Sequence, residues 1–226
     1  MRHRAGHVSR LWNAACPNLI PMKALRRQDG FTLIDTLVVI ALVGIVVAIA
    51  LPTAGTTSRG FRLKGDAQAV ANVVSLAKMR AASRYSRTRL RADLANNSFR
   101  LEVWVPTNAA NRLVGSWVVD GGDIRLSNGV TFSVAGRTVA PVNTQTVLGQ
   151  SPTCSDQTSL TGNKVGNTAC IVFNSRGIPI DDNGDPMGGN ALYISDGSAV
   201  YGTTITATPL VRQWWANATT GAWVKQ

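Results

Sequence analysis

The sequence predicts an α+β chain, with a long N-terminal helix, membrane-spanning in its first half and amphipathic in its second, packed on a C-terminal β-sheet or β-sandwich. Three observations predict it. Residues 36–58 form a run of 23 without a charge, between Asp35 and Arg59. Beyond that run, apolar residues recur at helical spacing as far as Ala81. From Thr88 onward, short alternating segments are separated by Gly, Asn and Asp turns, the pattern of many short strands behind a helix.

The first element is the apolar run itself. A helix needs about 20 predominantly apolar residues, rising ~1.5 Å each, to cross the hydrocarbon core. Thr36 to Leu51 supplies most of that length, and the small residues after it complete the span. Lys23, Arg26 and Arg27 precede it, and such a basic cluster keeps that end in the cytoplasm and sends the rest of the chain outward. An ordinary anchor or an uncleaved signal sequence would have the same gross form. Ala48, Ala50 and Ala54 imitate the small-residue pattern of a signal-peptide cleavage site.

The residues entering the run are more particular. Gly30-Phe31-Thr32-Leu33-Ile34-Asp35-Thr36-Leu37 resembles the type III signal of type IV pilins and type II secretion pseudopilins. The resemblance implies that a prepilin peptidase cuts between Gly30 and Phe31 on the cytoplasmic side and that the new N-terminal Phe31 is methylated. The family's acidic residue, usually Glu, falls on Asp35, its mid-span glycine on Gly44 and its helix-bending proline on Pro52. These three are the implied assembly positions. Asp35 is either an acid reaching toward the head groups or, as the resemblance implies, the partner of the free α-amino group of Phe31 in its own or a neighbouring subunit. Asp in place of Glu keeps the charge and shortens the reach by one methylene.

On this reading, residues 1–30 are a leader that is removed. Translation is expected to start at Met22, which leaves a short basic leader. Residues 31–58 are the transmembrane half-helix, 59–84 the amphipathic half-helix, and 85–226 the periplasmic β domain. The implied partners are other pilins or pseudopilins through the N-terminal helix, the prepilin peptidase and an inner-membrane assembly platform. The implied location is the bacterial inner membrane, single-pass, and then a filament.

The second half of the helix rests on periodicity. After Pro52 and a flexible Ala54–Gly60 stretch, Leu63, Ala67, Val70, Val74, Ala77 and Ala81 recur at intervals of four, three, four, three and four. That is one helical face. Lys64, Gln68, Asn72, Ser75 and Lys78 lie off the stripe. Pro52 removes a backbone hydrogen bond and is expected to kink or locally open the helix, and Gly44 weakens it.

Strands are expected at Thr88–Leu94 and Ser98–Val105, with a turn at Asn96-Asn97, and at Leu113–Val119 and Asp123–Leu126. Val130–Val134 follows a turn at Asn128-Gly129, and Val139–Leu148 is a further candidate. Residues 149–169 read as a polar loop before the strand Cys170–Phe173. A turn at Asn174–Gly177 and strands at Ala191–Ser195 and Ala199–Ala207 come next, and Pro209–Trp215 forms the last segment. The phrase Ile171-Val-Phe-Asn-Ser-Arg-Gly177, together with Ala191-Leu-Tyr-Ile-Ser195 and an ending in Arg and Trp, resembles the GspH/FimT branch of minor pilins. That resemblance implies a two-sheet β domain.

The charge is modestly basic and is not the composition of a dedicated DNA-binding tail. The chain has a net charge of +11, of which six Lys/Arg and one Asp lie in residues 1–30; from Phe31 onward 17 basic residues face 11 acidic ones, or +6. Two cysteines, Cys154 and Cys170, remain beyond the leader, and in an exported domain such a pair is expected to form a disulfide, with two buried free thiols as the alternative. Both histidines, His3 and His7, precede residue 31, and no nucleophile elbow, zinc-protease motif or phosphate loop is present. The expectation is a chain that is neither enzyme nor cofactor protein.

Two binding candidates remain. Asp181, Asn183 and Asp185 have the alternate spacing of hard oxygen ligands, but Pro186 stands where a calcium loop needs glycine, so the stretch reads as an acidic turn. Some related pseudopilins bind calcium near the C-terminus. The basic series Lys78, Arg80, Arg84, Arg87, Arg89 and Arg91 is a solvated face or a phosphate-binding surface. Some FimT-type pilins bind DNA through a C-terminal basic segment. Here that stretch is Pro209-Leu-Val-Arg212, without its glycine and first arginine, and Arg212 with Trp214 and Trp215 is the candidate DNA contact.

Overall fold

The computed structural model describes residues 32–226, without the side chains of residues 50–57. It is α+β: one helix, α1 (Leu33–Arg84), and ten strands among the described residues. The strands are β1 (Thr88–Asp93), β2 (Ser98–Pro106), β3 (Gly115–Val119), β4 (Ile124–Arg125), β5 (Thr168–Phe173), β6 (Pro179–Ile180), β7 (Asn190–Ser195), β8 (Ala199–Ile205), β9 (Val211–Asn217) and β10 (Val224–Lys225). The chain divides into two compact units, one ending at Ala48 and the other running from Ile49 to Gln226.

In the second unit the periodic stripe of α1 is the spine of the core. Leu63, Ala67, Val70, Val74, Ala77 and Ala81 are each 2% exposed or less. They share one apolar cluster with Leu90, Ala92, Phe99 and Leu101 of one sheet and Leu192, Ile194 and Ile205 of the other. Three of the six stripe residues are alanines, whose small side chains let a helix approach a sheet closely. At its end α1 closes with a 6→1 bond from Ser86 N–H to the Ala81 carbonyl, 3.3 Å, and Tyr85 takes the left-handed conformation (φ 49°) usual for glycine there.

Both sheets are antiparallel. The first runs β3-β2-β1-β5-β6, with β4 also paired to β2; the second runs β10-β9-β8-β7. Alternation along β1 and β2 sends Leu90, Ala92, Phe99 and Leu101 toward α1 and Arg89, Arg91, Glu102 and Trp104 to the opposite face. The polar segment 149–167 lies against that opposite face. Cys154 and Cys170 are bonded, with Cα atoms 5.0 Å apart, and Trp117 Nε1 donates to the Ser159 carbonyl at 3.1 Å. On the second sheet, Ala191, Tyr193 and Val200 face away from α1 and form a smaller cluster with Ala218, closed by Val134, Ala135, Leu148 and Trp223.

The structure departs from the sequence reading at four places. Ala54–Gly60 is helical, within the 52 residues of α1; its glycines cost about 1 kcal/mol each relative to Ala, a weakening and not a break. Val130–Val134 makes a single bridge, Thr131 to Ser195, and then turns at Ala135 (φ 49°). Val139–Leu148 is not a strand: Pro141 lacks an N–H, and Val139, Val142 and Val147 are 68–79% exposed. The two-residue strands β6 and β10 lie outside the expected strands; each is too short to carry a periodicity of its own.

Candidate functional site

The described part of the N-terminal segment begins at Thr32. Gly30 and Phe31, the expected cleavage and methylation positions, lie outside the described residues. At the start of α1, Asp35 Oδ2 accepts from the Thr32 backbone N–H at 3.2 Å and from its hydroxyl at 2.8 Å, while Asp35 N–H points back to Thr32 Oγ1 at 3.4 Å. This is a reciprocal capping box, and it satisfies donors that a helix start leaves orphaned. The spacing Thr-x-x-Asp ahead of an apolar run was the signal for it in the sequence. The expected pairing of Asp35 with the Phe31 amino group falls outside the described residues.

After that cap the first unit of α1 is apolar on every side. Leu33, Ile34, Leu37, Ile40, Leu42, Ile45 and the intervening valines as far as Val47 are 46–79% exposed. A helix that is hydrophobic all round belongs among other helices or in lipid. Among the described residues nothing outside its own helix lies within 4 Å of where a Cβ would sit on Gly44. The helical backbone of α1 includes Pro52, whose side chain is outside the described set. Among the described residues no helix is long and apolar enough to cross a membrane.

The basic series separates into different environments. Arg80 and Arg84 both pair with Asp120, at 3.4 and 3.2 Å. Arg89 is fully buried, its Nε 2.5 Å from Glu102 Oε2 and its Nη1 2.9 Å from the Ser155 carbonyl. Its guanidinium carbon sits 4.3 Å from the centre of the Trp117 ring. Burial pushes the Arg89 guanidinium down and the Glu102 charge opposes this. For Arg100 burial also pulls down, but hydrogen bonds and charge from Glu102 and Asp123 outweigh it and hold the guanidinium up. Arg87 has no such support: burial alone lowers it.

The C-terminal candidate does not come together as one surface. Register places Arg212 opposite Thr204, Trp214 opposite Gly202 and Trp215 opposite Tyr201. Arg212 and Trp214 therefore lie on the sheet face away from α1, and Trp215 on the face toward it. Trp214 is buried, and its indole N–H donates to Thr204 Oγ1 at 2.9 Å. Neighbours in a strand point to opposite sides, so the Trp-Trp pair was always split by the pleat.

The acidic stretch is a turn. Asp181 Oδ1 accepts the N–H groups of Asn183 and Asp185, each at 2.9 Å, and Gly184 takes φ +91°. Asp182 pairs with Lys164. Among the described residues no three His, Cys, Asp or Glu side chains converge on a cation position.

Residues 25–51 match the family described as the prokaryotic N-terminal methylation motif. No curated protein and no solved structure matches the chain. The motif supports a protein of the type IV pilin-like and pseudopilin class, subject to prepilin processing and assembling with other pilins.

Proposed function

We propose that this chain is a minor pilin or pseudopilin of the GspH/FimT-like kind, a non-enzymatic structural subunit of a type II secretion pseudopilus or a type IV pilus. Prepilin peptidase cuts between Gly30 and Phe31, and Phe31 is methylated. The segment 31–58 anchors the subunit in the inner membrane in a single pass, with residues 85–226 in the periplasm. Leaving the bilayer for a filament, the same segment packs against its counterparts in other subunits. Asp35 and Gly44 serve that packing, and Pro52 bends the helix.

The observation that carries this reading is the methylation motif at residues 25–51, seated on a helix start whose side chains are apolar in every direction. Burial at ~25 cal/mol per Å² makes such a surface unstable in water and favourable in lipid or a helix bundle. The test is to express the full chain with and without a prepilin peptidase and to measure the N-terminus by mass spectrometry. The expected product begins at a methylated Phe31 only when the peptidase is present, and Gly30→Trp remains uncut. Peptidase-independent trimming, or trimming after residue 50, overturns the proposal.

A further inference from the structure

A cleft of about 350 Å³ lies between α1 and two turns of the β domain. Arg59 and Arg62 line it from the helix, Asn128, Gly129 and Val130 from one turn, and Asp196 from the other. Three contacts assemble it. Asp66, one helical turn beyond Arg62, accepts the Ser127 N–H at 2.8 Å and the Ser127 hydroxyl at 3.0 Å, which seats the first turn on α1. Thr131 and Ser195 exchange both backbone bonds at 2.9 Å, which brings Asp196 beside that turn. Arg62 folds back along the helix toward Ser58, its Nε 3.4 Å from the Ser58 carbonyl oxygen and its Nη2 3.4 Å from Ser58 Oγ.

Both signs of charge in this cleft are unpaired. Among the described residues no carboxylate lies within ion-pair distance of Arg59 or Arg62. Both oxygens of Asp66, the nearest acid along the helix, are taken by Ser127. Asp196 gives only Oδ1 to its own turn, accepting the Ser198 N–H at 2.9 Å, the Ser198 hydroxyl at 2.7 Å and the Ala199 N–H at 3.0 Å. Its Oδ2 has no hydrogen-bond partner among the described residues. Burial pulls the Asp196 carboxyl up, and the bonds from Ser198 and Ala199 outweigh it and hold the carboxyl below the ordinary 3.8, so it is an anion at neutral pH. Place in the chain adds an independent sign. Arg59 is the first charged residue after the 23 uncharged residues 36–58, and Arg62 follows after about 5 Å of helix. Arginines at the end of an apolar helix reach the headgroup level of a bilayer.

We propose that this cleft holds the headgroup of a phospholipid with a primary ammonium, phosphatidylethanolamine, its phosphate on Arg59 and Arg62 and its ammonium on Asp196 Oδ2. This rests on the reading that residues 36–58 span the membrane. Guanidiniums donate in pairs to phosphate oxygens. A bare phosphate would meet the Asp196 carboxylate as a like charge, whereas a headgroup that carries a cation two carbons from its phosphate answers both signs. A quaternary ammonium has no N–H to donate, so a choline headgroup satisfies the arginines alone. Held by the helix and by both turns, the ethanolamine headgroup docks residues 85–226 against the bilayer before the subunit leaves it for a filament.

The test uses the full chain in non-ionic detergent, mixed with equal amounts of phosphatidylethanolamine, phosphatidylcholine and phosphatidylglycerol of distinct acyl mass. Native mass spectrometry counts the retained lipid. One phosphatidylethanolamine per chain is expected, preferred over phosphatidylcholine roughly tenfold or more, the worth of a charge-assisted hydrogen bond. Arg59→Gln/Arg62→Gln is expected to lose retention of all three lipids. Asp196→Asn keeps the Oδ1 acceptor of its turn and removes the charge, and it is expected to bring the ethanolamine and choline lipids to equal retention. Arg125→Gln, outside the cleft, leaves the pattern of the parent. No retained lipid, or equal retention of the ethanolamine and choline lipids by the parent, overturns the proposal. So does a preference for phosphatidylglycerol, or an ethanolamine preference that survives Asp196→Asn. Cleavage at Gly30 is scored in its own experiment, so the loss of this proposal leaves the proposed processing standing.

Discussion

Arg89 and Glu102 face each other across β1 and β2, Nε to Oε2 at 2.5 Å, and neither exposes any side-chain surface. Glu102 also receives Arg100 Nε at 2.8 Å through its other oxygen. Breaking a buried pair by removing one partner leaves a stranded charge, at about 3–5 kcal/mol. Glu102→Leu is therefore expected to lose that much in urea unfolding. The double variant Arg89→Met/Glu102→Leu should recover part of it, since no fully buried charge is left unpaired and the partly exposed Arg100 keeps Asp123 at 3.4 Å.

The bond between Cys154 and Cys170 closes a loop 16 residues apart in sequence over this pair. Constraining the unfolded chain by a loop of that size contributes about 3 kcal/mol. Cys154→Ser/Cys170→Ser should unfold at lower denaturant by that difference. The parent protein, treated with reductant, should fall to the same midpoint.

Acid sensitivity has a local source at the β1–β2 turn. Asp93 Oδ1 and Oδ2 accept from the backbone of Ala95 and Asn96 and from the Asn96 amide, at 2.8–3.0 Å. The Asn96 side chain, then its backbone N–H, hold the Asp93 carboxyl below the ordinary 3.8. A lowered native value means that the stabilisation is complete above 3.8 and is lost as the pH falls through the native value. Asp93→Asn should be less stable than the parent at neutral pH, and the gap should narrow below pH ~3.8. Urea midpoints measured from pH 7 to pH 2 check this.

Gly202 lies under the Tyr193 ring, where an added Cβ would come within 2.6 Å of a ring carbon. The Tyr193 hydroxyl is also committed, donating to Gln145 Oε1 at 2.8 Å. Gly202→Ala is expected to cost about 1–3 kcal/mol through overpacking. Thermal melting measures the loss, and Ala at the open position Gly122 serves as the neutral control.

Legibility in the sequence followed the range of the interaction. The α1 stripe could be read because a helical face repeats within its own segment, and all six expected positions are buried. The strands β1, β2, β5, β7 and β8 could be read for the same reason, from alternation and turn residues. Val139–Leu148 looked alike on paper, but a strand needs a partner, and none flanks those exposed valines. The capping box at Thr32 and Asp35 is legible only as a spacing, and the charge of the acid carries no sign of it.

The lock between Thr32 and Asp35 has both its halves on the same side of the Gly30–Phe31 bond. The first turn of α1 thus closes through Thr32 and Asp35 themselves. Shortening the polypeptide at that bond would leave the turn intact, so the greasy segment would enter its next surroundings already wound rather than frayed.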